Sequence, residues 1–339
     1  FVRLRGIAVS HVVSNVQHVA GNCMLAAVAR CSFLGCMLER AGIAERLFDA
    51  LFLWTRKMPG GLAVCTILLG VVFAAASGVV GATETVIGLL AIPIMMKHGY
   101  DKSLISGTIC SGGSLGTVIP PSVLVIIMAP VADVSVGDLF AGLLFPGLIM
   151  AALFIAHIVV RCMITPSLAP RIEIPVDDLP SWSEMIRSTG FALLPPVFLI
   201  FTVLGTILMG LATPTEAAAC GAIGAAVLTA LNGKFTISVL SDAARRTMLV
   251  TAMILTILLA GNMFAGVFIA SGGISTVKDL IAALDLSTWS ILLLILGLAF
   301  VAGFALDLVS VILVFVPIAL PIIRTLGFDP VWFCILFLV

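Results

Sequence analysis

Apolar runs long enough to cross a bilayer follow one another along this chain, near residues 16–38, 104–130, 138–164, 190–211, 214–231 and 247–270. A helix needs about 20 such residues to span about 30 Å of hydrocarbon. Shorter apolar runs lie at 61–76, 79–96, 288–306 and 308–323, and a last one begins at 331. Only 10% of the residues are charged, whereas soluble domains carry about 25%. No strand-like alternation offers a barrel instead. The chain reads as an all-α polytopic membrane protein.

The 17 basic and 17 acidic residues balance, so nothing points to nucleic acid. The eight cysteines sit singly in apolar segments, and the four histidines form no HExxH pair. They read as small packing groups and scattered polar groups, not as metal ligands. The chain opens on Phe1 and stops at Val339 inside an apolar run, so it is read as truncated at both ends. Segments 39–60 and 271–287 are amphipathic and too short or too charged to span, as interfacial helices are. The most polar loop, 165–189, is proline-rich and connects two halves.

Those halves repeat one another. AIPIMMKHGYD at 91–101 recurs as ALPIIRTLGFDP at 319–330, which keeps Ala, Pro, Ile, Gly and Asp at an offset of 228 residues. The amphipathic AGIAERLFDAL (41–51) is echoed by GGISTVKDLIAAL (272–284). Twelve of the 17 Lys and Arg residues fall in loops 39–60, 97–102, 161–189 and 232–246, and only Lys278 and Arg324 in loops 131–138, 271–287 and 324–330. If the basic loops are cytoplasmic, segment 61–97 leaves and returns on that side as a re-entrant hairpin, and 288–323 does so on the other side. Inverted repeats of this kind mark secondary transporters. Arg3 and Arg5 fall on the outer side in this scheme. The expected organisation is an N-terminal span and arm (1–60), a core of hairpin and broken helix (61–130), scaffold helices with the inter-repeat loop (131–246), and the second repeat (247–339).

The chemistry concentrates where helix should fail. Residues 111–122 read SGGSLGTVIPPS, and the spacing predicts unwinding throughout. Gly112, Gly113 and Gly116 would let the backbone turn. Pro120 and Pro121 would stop the helix from closing again, since neither has an N–H. Freed carbonyls with the hydroxyls of Ser111, Ser114 and Thr117 suit a hard cation such as Na⁺, and the next helix N-terminus suits a carboxylate. A plain proline kink is the bland alternative. Hairpin 1 should turn at Ser77-Gly78, with Thr83, Glu84 and Thr85 opening the return limb. Small residues there would otherwise serve only helix packing. Hairpin 2 should turn within 303–312, where Asp307 is a cation or proton site beside Ser310, because a carboxylate at hydrophobic depth costs at least ~2.5 kcal/mol without a partner or cavity. Glu84 is a weaker candidate of the same kind. Arg30, inside the first span, pairs with an acid or snorkels. Thr213, Pro214 and Glu216 read as the capped start of a helix.

These motifs resemble the large membrane subunit of tripartite ATP-independent periplasmic (TRAP) transporters. The matching stretches are ERAGIAERL, AAASGVVGATETVIG, PIMMKHGYDKSLISGTICSGGSLGTVIPPS, VSVGDLFAGLLFPG, ATPTEAAA and VPIALPIIRTLGFDPVWF, in family order over nearly the whole chain. The resemblance implies an inverted-repeat elevator in the bacterial inner membrane that imports an organic acid with Na⁺ as coupling ion. It implies two partners, a small membrane subunit and a soluble periplasmic substrate-binding protein, besides membrane lipid. Ser77 and Gly78 would form one Na⁺ site with Ser111, Gly112, Gly113, Ser114 and Gly116. Asp307 and Ser310 would contribute to a second. Substrate would lie against Ser77, Gly78, Thr83, Thr117, Pro120 and Pro121, between the hairpin tips. Arg30 departs from the family's usual apolar residue, and the second broken helix is expected from about residue 339.

Two other readings fit parts of the sequence. One keeps the fold as a Na⁺- or H⁺-coupled dicarboxylate elevator without a binding protein. The other takes Gly112–Gly116 as a G-x-S-x-G motif, with Ser114 the nucleophile of an intramembrane protease and His157 its base. At 1.5 Å per residue, Ser114 lies about 16 Å from the cytoplasmic end and His157 about 6–10 Å, so the two are at different depths. The chain is therefore not expected to be an enzyme.

Overall fold

The computed structural model describes residues 25–78, 80–170, 182–273, 275–277 and 287–339, with the isolated positions 21 and 279. Arg3, Arg5, Arg171, Lys278, residues 171–181 of the 165–189 loop and much of the 272–284 arm lie outside them. The described elements are helices: α1 (Leu25–Arg40), α2 (Ile43–Thr55), α3 (Gly61–Ser77), α4 (Val80–Lys97), α5 (Lys102–Val118), α6 (Val123–Ala132), α7 (Val136–Ile164), α8 (Trp182–Leu208), α9 (Pro214–Leu231), α10 (Ile237–Ala270), α11 (Thr288–Ala302), α12 (Leu308–Thr325) and α13 (Pro330–Leu338). A single 3-10 turn, Pro166–Leu168, follows α7. Among the described residues five helices are long and apolar enough to cross a membrane. The bent pair α5 and α6 is together long and apolar enough for a sixth if the two form one span, while α3 and α11 are shorter.

Helix starts follow the local chemistry. Orphan N–H groups at an N-terminus need acceptors, and Asp101, Ser135, Thr236, Ser287, Asp307 and Asp329 supply them to α5, α7, α10, α11, α12 and α13. Thr213 and Glu216 form a complete capping box on α9 with Pro214 in its first turn, as the sequence predicts. The repeat is visible in the element boundaries. Helices α4 and α12 are each 18 residues long. They are followed by left-handed glycines at Gly99 and Gly327, then by the caps Asp101 and Asp329 at the same offset.

One boundary differs from the expected loop 232–246: α10 begins at Ile237 and runs for 34 residues, about 51 Å. Thr236 caps it early, and its first turns are tied to the end of α1 by ion pairs Arg40–Asp242 at 3.3 Å and Arg246–Glu39 at 3.2 Å. This basic end projects beyond a bilayer core of about 30 Å as helix, not as loop.

Burial resolves into two cores. One gathers α2, α3, α4, the inward residues Ile105, Leu115 and Ile119, and Ile158 and Cys162 of α7. The other gathers α1, α6, α9, α10, α11, α12, α13, the first half of α7 and the second half of α8. The two cores meet at the gap, where Ile119 belongs to the first and Val118 and Val123 to the second. Tyr100 ties hairpin 1 to the following turn, its hydroxyl accepting from the Leu62 N–H at 3.3 Å. Burial pushes that phenol above its ordinary value.

Candidate functional site

Two interruptions of helical backbone meet at the junction of the cores. The first is the tip of hairpin 1. Helix α3 ends at Ser77, Gly78 caps it with φ 61° and ψ 11°, and α4 begins at Val80. The second is the gap between α5 and α6, where the helix axis bends by 43° and the Pro120–Pro121 bond is cis. The Val123 N–H donates to the Gly78 carbonyl at 3.3 Å. A Cβ on Gly78 would stand 2.5 Å from the Pro121 carbonyl oxygen. Only glycine has both the left-handed backbone and the missing side chain that this approach needs.

The gap is narrower than SGGSLGTVIPPS suggests. Helix α5 continues to Val118, so Ser111, Gly112, Gly113, Ser114, Gly116 and Thr117 are helical, contrary to the expected unwinding from 111. Their small size serves packing instead. A Cβ on Gly70 would lie 2.8 Å from the Gly112 carbonyl oxygen, and one on Gly113 would lie 2.0 Å from Glu84 Cγ. The glycines let α3 and the Glu84 side chain lie directly on α5. Ser114 donates to the Ser111 carbonyl at 2.9 Å and Thr117 to the Ser114 carbonyl at 2.7 Å. Both hydroxyls are thus spent within their own helix, and Ser114 occupies a helix interior rather than the strand-to-helix turn that a G-x-S-x-G nucleophile needs.

What the gap offers is a set of oxygens. In a continuous helix the Gly116 and Thr117 carbonyls would accept from residues 120 and 121, but both are prolines without an N–H. Ser122, which sequence reasoning left out, is fully buried, caps nothing, and its Oγ has no hydrogen-bond partner. Buried polar groups in native proteins are nearly always paired; among the described residues Ser32 Oγ, Glu39 Oε2 and Thr251 Oγ1 share this condition, and Ser122 is the one of the four that lies in the gap. Its only signal in the sequence is its position directly after the proline pair. Neutral carbonyl and hydroxyl oxygens fit a hard monovalent cation. Among the described residues no three His, Cys, Asp or Glu side chains converge.

The other predicted residues are placed as follows. Ser77 is the last residue of α3 at the tip, and Thr83 is buried in the return limb. Asp307 and Ser310 meet: the carboxylate caps α12 by accepting from the Ser310 N–H at 3.4 Å and also from the Ser310 hydroxyl. The hairpin 2 turn spans only 303–307, because Ser310 already belongs to α12. Glu84 has neither a hydrogen bond nor an ion pair among the described residues. Arg30 donates to the Thr215 carbonyl at 2.8 Å, so it holds the first turn of α9 rather than pairing with an acid. Ser111 lines a separate cavity with His157.

Comparison with known proteins matches residues 3–339 to the model for the tripartite ATP-independent periplasmic transporter, DctM component. The chain is 31% identical over 300 residues to the C4-dicarboxylate TRAP transporter large permease DctM of Pseudomonas aeruginosa, covering 88% of this chain and 68% of that protein. It is 30% identical over 308 residues to the ectoine/5-hydroxyectoine TRAP transporter large permease UehC of Ruegeria pomeroyi, covering 91% and 70%. Among solved structures, the crystal structure of the Alcanivorax borkumensis YdaH transporter aligns with a TM-score of 0.64 and 17% identity, over 97% of this chain and 74% of that one. That likeness concerns the fold.

Proposed function

The chain belongs to the DctM component family of tripartite ATP-independent periplasmic transporters, and on that premise we propose that it imports a small organic acid by coupling to Na⁺ entry. As a large permease of this family it is a multi-pass protein of the inner membrane, and its work is transport. In the proposed system a small membrane subunit braces the scaffold and a soluble periplasmic binding protein delivers substrate. The substrate class rests on relatives named for C4-dicarboxylate and for ectoine, all of which carry a carboxylate.

One observation carries the ion reading: a fully buried, unpartnered Ser122 hydroxyl in the same gap whose prolines, Pro120 and Pro121, deprive the Gly116 and Thr117 carbonyls of their helical donors. In the proposed mechanism these oxygens bind Na⁺ where the hairpin tip and the helix gap touch. The bound charge completes the contact between Gly78 and Val123. The α6 N-terminus, with its N–H groups of Leu124 and Val125 free of helical acceptors, faces the substrate carboxylate. Asp307 with Ser310 would serve the second repeat in the same way. The hairpin and its load then cross as one body against the scaffold, in an elevator motion. Each Na⁺ entering down the membrane potential contributes about 2.3 kcal/mol per 100 mV, besides its concentration gradient. Two such ions would concentrate substrate without ATP.

The test is uptake by the full-length permease, reconstituted with its two partners in proteoliposomes and supplied with radiolabelled C4-dicarboxylate or ectoine. Accumulation should require an inward Na⁺ gradient and fail when K⁺ replaces Na⁺. Equal accumulation in K⁺ would sink the coupling.

A further inference from the structure

A second polar feature lies away from the hairpin tip. Between α5 and α7 is a cavity of about 230 Å³, lined by Ser103, Thr108 and Ser111 on one side and by His157, Arg161 and Phe154 on the other. The two helices run antiparallel here, so the lining is graded with depth. Arg161, in the last turn of α7, stands level with Ser103 in the first turn of α5. His157 lies one turn deeper than Arg161 on α7 and Phe154 deeper still, as Thr108 and then Ser111 lie deeper than Ser103 on α5. The end of the cavity lined by Ser103 and Arg161 is the end of the two helices near Lys97 and Lys102, which the charge bias assigns to the cytoplasm.

Neither the Arg161 nor the His157 side chain has an ion pair or a hydrogen bond among the described residues. The serine and threonine groups differ. Ser103 donates to Asp101 and Thr108 to the Leu104 carbonyl, whereas the Ser111 hydroxyl donates to nothing described. The cavity therefore presents a guanidinium and an imidazole toward one end, flanked by the aliphatic side chains of Ile158 and Leu104, and a hydroxyl and a phenyl ring further in. A free anion would satisfy that end and leave the apolar lining unfilled. An amphiphile satisfies both. Nearby side chains of α7, Val160, Met163 and Ile164, are exposed and apolar, as a lipid-facing surface is. Basic pockets between helices on the cytoplasmic side are suited to phosphate headgroups.

We infer that this cavity is a binding site for an anionic phospholipid of the cytoplasmic leaflet. Arg161 and His157 hold the headgroup phosphate, and an acyl chain lies along Phe154 and Ile158. The lipid bridges α7 to α5, the helix that leads into the gap at Ile119. The inference does not depend on which substrate or ion is carried, and its test uses no transport readout.

The test compares lipid binding by the full-length permease in detergent, using native mass spectrometry with phosphatidylglycerol, phosphatidylcholine and inorganic phosphate as probes. Wild-type protein should retain phosphatidylglycerol over phosphatidylcholine, and Arg161→Gln should lower that preference about fivefold, the share of one basic group near the surface. Arg161→Lys should keep most of it, and Arg56→Gln, a basic residue of the same leaflet outside the cavity, should keep all of it. Melting curves of each variant verify folding. Equal retention of the two lipids would overturn the inference, as would an unchanged preference in Arg161→Gln. If phosphate alone displaced the bound phosphatidylglycerol, the site would be a free-anion site, and the lipid assignment would be wrong.

Discussion

Replacing Gly78 by alanine tests the contact on which the proposed ion site depends. The residue has φ 61°, and the new Cβ would sit 2.5 Å from the Pro121 carbonyl oxygen. A left-handed backbone costs an L-residue roughly 1–2 kcal/mol. The steric contact is with backbone, not with a flexible side chain, so one strand must shift by at least about half an ångström. The bond from Val123 to Gly78 is already 3.3 Å long and would not survive that shift, a further loss of about 0.5–1.5 kcal/mol. Together these terms come to about 2–3 kcal/mol against the joined tip and gap, or roughly 30- to 150-fold in its population. If Na⁺ binds only the joined form, the half-saturating Na⁺ concentration for uptake in proteoliposomes should rise by at least tenfold. Gly81→Ala is the control: it lies three residues away in helix, a Cβ there meets nothing within 4 Å, and Na⁺ dependence should be unchanged. A folded Gly78→Ala protein with wild-type Na⁺ dependence would refute the reasoning.

Ser122→Ala removes a buried hydroxyl that has no protein partner, and leaving such a group unmade costs about 1–3 kcal/mol. Its melting temperature in Na⁺-free buffer should hold or rise while Na⁺ affinity falls; a loss of stability with unchanged Na⁺ affinity would assign the hydroxyl to ordinary packing. The Asp101 carboxyl is held below its ordinary value of 3.8 by the Ser103 hydroxyl and N–H. Its contribution to stability is therefore complete above the unfolded pKa, and it is lost as pH falls through the lower folded value. Melting curves recorded down through that range should lose stability less steeply in Asp101→Asn than in wild type. At the α1–α10 junction, Arg246→Ala strands Glu39, whose side chain is only 13% exposed, and should cost roughly 1 kcal/mol in chemical unfolding. Asp242→Asn, at a 55% exposed partner, should cost less than about 0.5 kcal/mol.

The elements most legible in the sequence are those governed by local chemistry. The spans follow from hydrophobic length, and the helix starts from Thr213, Asp101 and Asp329, each a side chain that reaches an N–H only two or three residues away. The 228-residue repeat predicts where α4 and α12 end, because Gly99 and Gly327 impose the same left-handed turn. The tip at Ser77-Gly78 is legible for the same reason: a glycine after a serine ends an otherwise continuous apolar run. Ser122 is not legible as a ligand, since a hydroxyl is orphaned only by what the rest of the fold fails to offer it. Arg161 and His157 are one helical turn apart on α7, but the sequence gives no register between that helix and α5, so their shared cavity emerges only in three dimensions.

The misplaced start of the gap has a more general cause. Glycine and serine weaken a helix, but they also let another helix or a side chain come within backbone contact of it, and a single sequence does not separate the two effects. At Gly112 and Gly113 the second effect prevails, because Gly70 and Glu84 are pressed against them and the packing recovers what the helix loses in propensity, about 1 kcal/mol per glycine. Proline is different in kind. It removes the N–H itself, and no neighbour restores it. The helix therefore yields at Pro120-Pro121 and not at the glycines, nine residues after the polar stretch begins. This also places the gap at the boundary between cores. Helix α5 can pack into the hairpin core along its whole glycine face, while α6, buried at every residue from Val123 to Ala129, belongs to the other. The unpaired oxygens thus fall at the joint where the two packed bodies meet, which is where a bound ion can influence how one sits against the other.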